Sequence, residues 1–202
     1  MEMAALQLGV FDSEERARSE QQRLREAGIP CVIWQRDKLR LICDAAAAKE
    51  ALDHSVAGGN EAYVVRDTLQ AVSLRIRCAA DQTQEAAAFL SLPDDVLTTL
   101  LSPEGEKLET TLWNVQKKAQ QALEAYPENA LCTQLAQQLL DWCELIREEK
   151  DESSARCLAA ISMCSICREW RNALLASYSA SAESTASAQR TPSTAADVMP
   201  PA

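Results

Sequence analysis

The feature that most constrains this chain is a strand–helix–strand pattern written twice in its first 67 residues. Leu6-Gln7-Leu8-Gly9-Val10-Phe11 leads into a charged helix that stops at Gly28, then into Cys31-Val32-Ile33-Trp34. Leu39-Arg40-Leu41-Ile42-Cys43 leads into a second, Ala-rich helix from Ala45 to Val56 that stops at Gly58-Gly59, then into Ala62-Tyr63-Val64-Val65. A repeat of roughly 33 residues fixes an architecture before any single side chain is interpreted.

Local signals agree with this pattern. The first strand alternates, with Leu6, Leu8 and Val10 on one face and Gln7, Gly9 and Phe11 on the other. Asp12 or Ser13 caps the helix that follows, and Glu14 and Glu15 lie in its first turn, where the helix dipole favours them. Gly28 supplies a left-handed stop, and Pro30 forbids continuation. The linker 35–38 is short enough for an antiparallel hairpin. Two such units predict an α+β, ferredoxin-like βαββαβ layout: four antiparallel strands with both helices on one face. The alternating run 73–78 adds a fifth edge strand, which its arginines guard against pairing with another chain.

From residue 81 the period changes to helical. Segments 81–90 and 94–101 are separated by Leu92-Pro93, and Leu108 to Tyr126 repeats apolar residues at three and four. Pro127 starts another helix, and after the charged break 148–152 a last one runs through Cys157, Ile161, Cys164 and Trp170 to about Tyr178. Short connections make this a small antiparallel bundle. The expected organisation is a two-unit domain at 1–78, a helical domain at 81–178 and a disordered Ser/Ala/Thr/Pro tail at 179–202.

Composition narrows function. Residues 1–80 hold 11 Lys/Arg against 12 Asp/Glu, a net of −1, and the rest holds 9 against 18, a net of −9. Neither half has the basic face that binding a phosphate backbone requires, so nucleic acid is set aside as a partner. Eight cysteines, at 31, 43, 78, 132, 143, 157, 164 and 167, fall on strand and helix faces that read as buried. Cys164-Ser165-Ile166-Cys167 lacks the second CxxC of a structural zinc site and the preceding strand of a redox motif, so it reads as packing thiols. His54 is the only histidine, and no nucleophile–base set or Gly-rich phosphate loop can be assembled. No catalysis, metal or cofactor is therefore expected. No apolar run reaches membrane length.

The run Leu6-Gln7-Leu8-Gly9-Val10-Phe11, with Ser13-Glu14-Glu15-Arg16-Ala17 and Ala27-Gly28-Ile29-Pro30-Cys31-Val32-Ile33, resembles the SPOR (sporulation-related repeat) family over residues 4–67. That resemblance implies a duplicated βαββαβ fold and non-catalytic binding of peptidoglycan glycan strands in the bacterial cell envelope, linked to division or sporulation. The second unit keeps Arg40, but Ile42-Cys43-Asp44 replaces the Gly-Pro-Phe-like element of the family. Strand alternation then leaves one sheet face open, with Gln7, Gly9, Trp34, Arg40 and Tyr63 as the glycan-binding candidates. Apolar rings suit the C–H faces of sugars, while amide and guanidinium donors suit their hydroxyls. The alternative packs Trp34 and Tyr63 beneath the fifth strand or against the helical half. A second expectation rests on the altered second motif, the free cysteines and the lack of an export signal: a cytoplasmic protein-interaction adaptor that kept the fold without the glycan. Its docking face would be an apolar face of the bundle or the acidic one of Glu104, Glu106, Glu109, Glu144, Glu148 and Glu149. An anchor upstream of Met1 would favour the envelope, and a true start there the cytoplasm.

Overall fold

The computed structural model describes residues 1–70, 83–102 and 106–188. Its sheet contains β1 (Glu2–Phe11), β2 (Val32–Gln35), β3 (Leu39–Ala46) and β4 (Tyr63–Thr68), antiparallel throughout in the order β2-β3-β1-β4. Between β1 and β2 lies α1 (Glu14–Glu26), started by the Ser13 hydroxyl accepting from the Arg16 N–H. Gly28 follows at φ +79°, the left-handed stop that its sequence position implied.

The expected second helix does not form. β3 continues to Ala46, and the chain then makes two single 3-10 turns, Lys49–Ala51 and His54–Ala57. Short polar side chains take the backbone donors that a helix would use. The Asp44 carboxylate accepts from the Ala45 and Asp53 N–H groups at 2.9 and 2.7 Å, and Asp53 accepts from the Ser55 N–H at 2.9 Å.

The helical half follows the sequence pattern more closely. It comprises α2 (Thr83–Leu90), α3 (Leu92–Leu101), α4 (Leu108–Ala125), α5 (Ala130–Glu148) and α6 (Glu152–Ala188). Pro93 lies inside the first turn of α3, where its missing N–H costs nothing. Asn129, not Pro127, starts α5, its side chain accepting from the Cys132 N–H. α6 runs ten residues past 178, so 179–188 of the expected disordered tail are helical. Ala-rich sequence extends an existing helix readily, because the costly nucleus is already formed. The rest of that tail and the expected strand at 73–78 lie outside the described residues.

Two cores sandwich the sheet. Leu24 of α1 packs with Ala4, Leu6, Ile29, Cys31, Leu41 and Cys43. On the opposite face Met3, Ala5, Val32, Trp34, Ile42 and Leu69 join one continuous core with the apolar sides of the helical half.

Candidate functional site

Alternation places Gln7, Trp34, Arg40 and Ile42 correctly on one face: Gln7 pairs with Ile42 and Tyr63, and Trp34 with Arg40. That face is not open. α6 lies against β2 and β3, and Trp34 is 3% exposed within the core it shares with the helices. The expectation of an uncovered, sugar-accessible face is corrected accordingly.

Polar contacts fasten the cover near both edges of the sheet. Asp67 on β4, 6% exposed, forms an ion pair with Arg168 of α6 and another with Arg36 at 3.4 Å. The Arg36 guanidinium also stacks 4.9 Å above the Trp34 ring. On the α1 side, Arg25 pairs with Glu149 at 2.7 Å while its guanidinium donates to the Cys31 carbonyl. The Cys164 thiol donates to Asp67 at 3.5 Å, and burial pushes its pKa up to about 12.

Gln7 is buried too, its Oε1 accepting from Arg40 Nη1 at 2.7 Å. Arg40 spends its other terminal nitrogen on Asp37 at 3.0 Å, and that bond lowers the Asp37 pKa. Gly9 departs from the face altogether. Leu8 is an extra residue on β1 between the Gln7–Ile42 and Gly9–Leu41 pairs, a bulge that resets the alternation. A Cβ on Gly9 would meet Phe11, which packs on the α1 side. Tyr63 is 54% exposed at the end of the sheet that the helices do not reach, with Val10 at 43%.

Sequence reasoning missed Asp67, Arg36 and Arg168. A signal for the cover was nevertheless present. Met3-Ala4-Ala5-Leu6, Cys31-Val32-Ile33-Trp34 and Leu41-Ile42-Cys43 are unbroken apolar runs, the pattern of strands buried on both faces. Among the described residues, no group of three or more His, Cys, Asp or Glu side chains could hold a metal ion. No described helix is long and apolar enough to cross a membrane. No protein-family model, curated protein or solved structure matches the chain.

Proposed function

We propose that this chain is a non-catalytic protein-interaction adaptor, built on a SPOR-like duplicated sheet whose ligand face is occupied by its own helical half. The strand order supports the duplicated layout, because exchanging the first unit for the second turns β2-β3-β1-β4 into itself read backwards. Gln7 and Arg40, equivalent positions of the two units, meet across the central strand pair.

The burial of Trp34 carries the proposal. Around it the face is Met3, Ala5, Val32 and Ile42, a surface for helix side chains and a poor one for sugar hydroxyls. Gln7 Oε1 already accepts from Arg40 Nη1, so neither group is wholly free for a sugar hydroxyl. Glycan-strand binding would be confined to the exposed Tyr63 and the partly exposed edge of Arg40.

The outward sides of α4 and α5 favour a basic partner. Trp113 is 58% exposed on α4, and Glu109, Glu144 and Glu148 are exposed on the same pair of helices, with Glu106 exposed just before α4. Lys117 stacks over the Trp113 ring at 5.1 Å, and a Lys/Arg-rich amphipathic helix would offer the same cation–ring contact while pairing with these glutamates. Two measurements test the reading. In co-sedimentation with purified peptidoglycan sacculi, the intact chain should stay in the supernatant. Retention abolished by Gln7→Ala plus Arg40→Ala would restore the glycan proposal. In anisotropy titrations, a Lys/Arg-rich amphipathic peptide should bind, with weakening by salt and by Trp113→Ala; no binding would remove this surface.

A further inference from the structure

The β2–β3 ladder pairs Val32 with Ile42, Ile33 with Leu41, Trp34 with Arg40 and Gln35 with Leu39. The ladder ends there; continued by one step, its register would set Cys31 opposite Cys43, which on its other side is the extra residue of β3 between the Leu6–Asp44 and Gln7–Ile42 pairs with β1. Both side chains enter the core on the α1 side, at 0% and 3% exposure.

The kind of pair can be read from the hairpin. The Arg36 N–H donates to the Lys38 carbonyl at 3.1 Å, which marks 36/38 as a hydrogen-bonded pair. Pair types alternate along an antiparallel ladder, so 34/40 and 32/42 are hydrogen-bonded and 31/43 is not. The Cys31 carbonyl agrees: it accepts from Gln21 Nε2 and from the Arg25 guanidinium, outside the ladder. Non-hydrogen-bonded partners hold their Cα atoms about 4.5 Å apart. That lies within the Cα range of roughly 4.4–6.8 Å in which two cysteines can be bridged.

We propose that Cys31 and Cys43 form a cross-strand disulfide, stapling β2 to β3, when the chain folds in the presence of a disulfide oxidant such as oxidised glutathione. One cysteine thiolate attacks the oxidant and displaces one thiol, leaving a mixed disulfide. The second cysteine then attacks the protein-bound sulfur and displaces the other thiol. Two electrons pass from the protein to the oxidant, and the two cysteine protons end on the two glutathione thiols. The step belongs to folding, before α1 closes over the pair. Burial pushes the folded thiols up to about 11 and about 12, which leaves them poor nucleophiles afterwards. In the structure both are free thiols, Cys31 donating to the Gln21 carbonyl at 3.8 Å and Cys43 to the Leu6 carbonyl at 3.5 Å, contacts that the disulfide would replace. Two other thiols near the sheet face different partners. Cys157 lies against the Ile42 carbonyl on the opposite face, and Cys164 donates to Asp67.

Trypsin tests this directly, because Cys31 falls in peptide 26–36 and Cys43 in peptide 41–49, each with a single cysteine. The full chain is unfolded with reductant, refolded with reduced and oxidised glutathione, alkylated and digested. The expected product is the cross-linked pair 26–36/41–49, with Tm raised by about 5 °C over the reduced protein. Cys31→Ser should abolish both the cross-link and the shift. Native circular dichroism with both cysteines alkylated, or either one joined to Cys157, would overturn the proposal.

Discussion

The two faces of this one sheet are buried by different means. On the α1 side, one helix of 13 residues and two 3-10 turns give a small core, and Val64 on the edge strand stays 39% exposed. On the other side the helical half supplies a core in which Trp34, Met3, Val32 and Ile42 are continuous with Leu97, Leu139 and Ile161. The face that alternation would leave for a ligand is thus the more thoroughly covered one. A strand–helix–strand pattern specifies the sheet, while the identity of residues on its second face decides whether that face is a surface or an interior.

The largest effect expected from this asymmetry comes from removing the helices. A fragment of residues 1–70 would expose Met3, Ala5, Val32, Trp34, Ile42 and Leu69 together, an apolar patch that a soluble monomer rarely carries. It should lose cooperative unfolding and associate on size-exclusion chromatography. A compact, monomeric fragment with a sharp unfolding transition would show that the helical half is a removable cover.

Within the covered face the contrast is between Trp34 and Tyr63, aromatic residues on one side of the sheet at 3% and 54% exposure. Trp34→Ala should cost about 3–5 kcal/mol in urea unfolding, the range for a deleted buried aromatic. Tyr63→Ala should cost about 0.5 kcal/mol or less. Equal costs would mean that the helices do not rest on Trp34 in solution.

The ionic fastening should matter less than the apolar contact. Asp67→Asn leaves Arg36 and Arg168 facing an uncharged, buried group, and about 2 kcal/mol is expected, because both arginines remain partly solvated. Glu14→Gln, which breaks the exposed pair with Arg18, should leave the urea midpoint unchanged.

How much of this was legible depends on what each residue competes with. Gly28, Ser13 and the apolar stripe of α4 act locally, and the sequence reading of them agrees with the structure. The helix expected over 45–56 failed because the Asp44 and Asp53 carboxylates accept from the backbone N–H groups of Ala45, Asp53 and Ser55, an arrangement that no periodicity reveals. The side of the sheet for Gln7, Trp34 and Arg40 was legible from alternation. Their burial depended on what docks from more than 100 residues away, as Cys157 does on Ile42. The unbroken apolar runs pointed to it, as did the alternative that packs Trp34 against the helical half, which holds for Trp34 and not for Tyr63.

Alkaline pH offers a smaller and graded test of burial. The thiols of Cys31, Cys43, Cys143 and Cys164 rise from an ordinary 9.0 to about 11, 12, 11 and 12, chiefly through desolvation. Below pH 9 both folded and unfolded chains keep these protons, and the stability associated with them is fully present. Above it the unfolded chain ionises first and binds fewer protons than the folded one, so stability falls as pH rises through the 9–12 window. The urea midpoint under reducing conditions should therefore drop between about pH 8 and pH 10, and drop less in Cys43→Ser. A flat profile would place these thiols in contact with water.

The smallest effect expected concerns Gly9, where the SPOR-like reading and the structure give different reasons for the same glycine. As a glycan contact, Gly9 would let a ligand approach the open face, and a methyl group there would cost binding but little stability. In the structure, the Leu8 bulge turns the position toward α1, and an added Cβ would lie 2.8 Å from the Phe11 ring. The backbone needs no left-handed conformation there, so the cost is steric and the ring can yield part of it. Gly9→Ala should lower stability by about 1 kcal/mol, an overpacking cost at the low end of the usual range. Phe11→Leu removes the ring the new methyl group would meet, so in the double variant the alanine should cost markedly less than it does alone. A double-mutant cycle reads that coupling directly. Additive costs would mean that the two residues do not meet, and that the bulge does not redirect this strand.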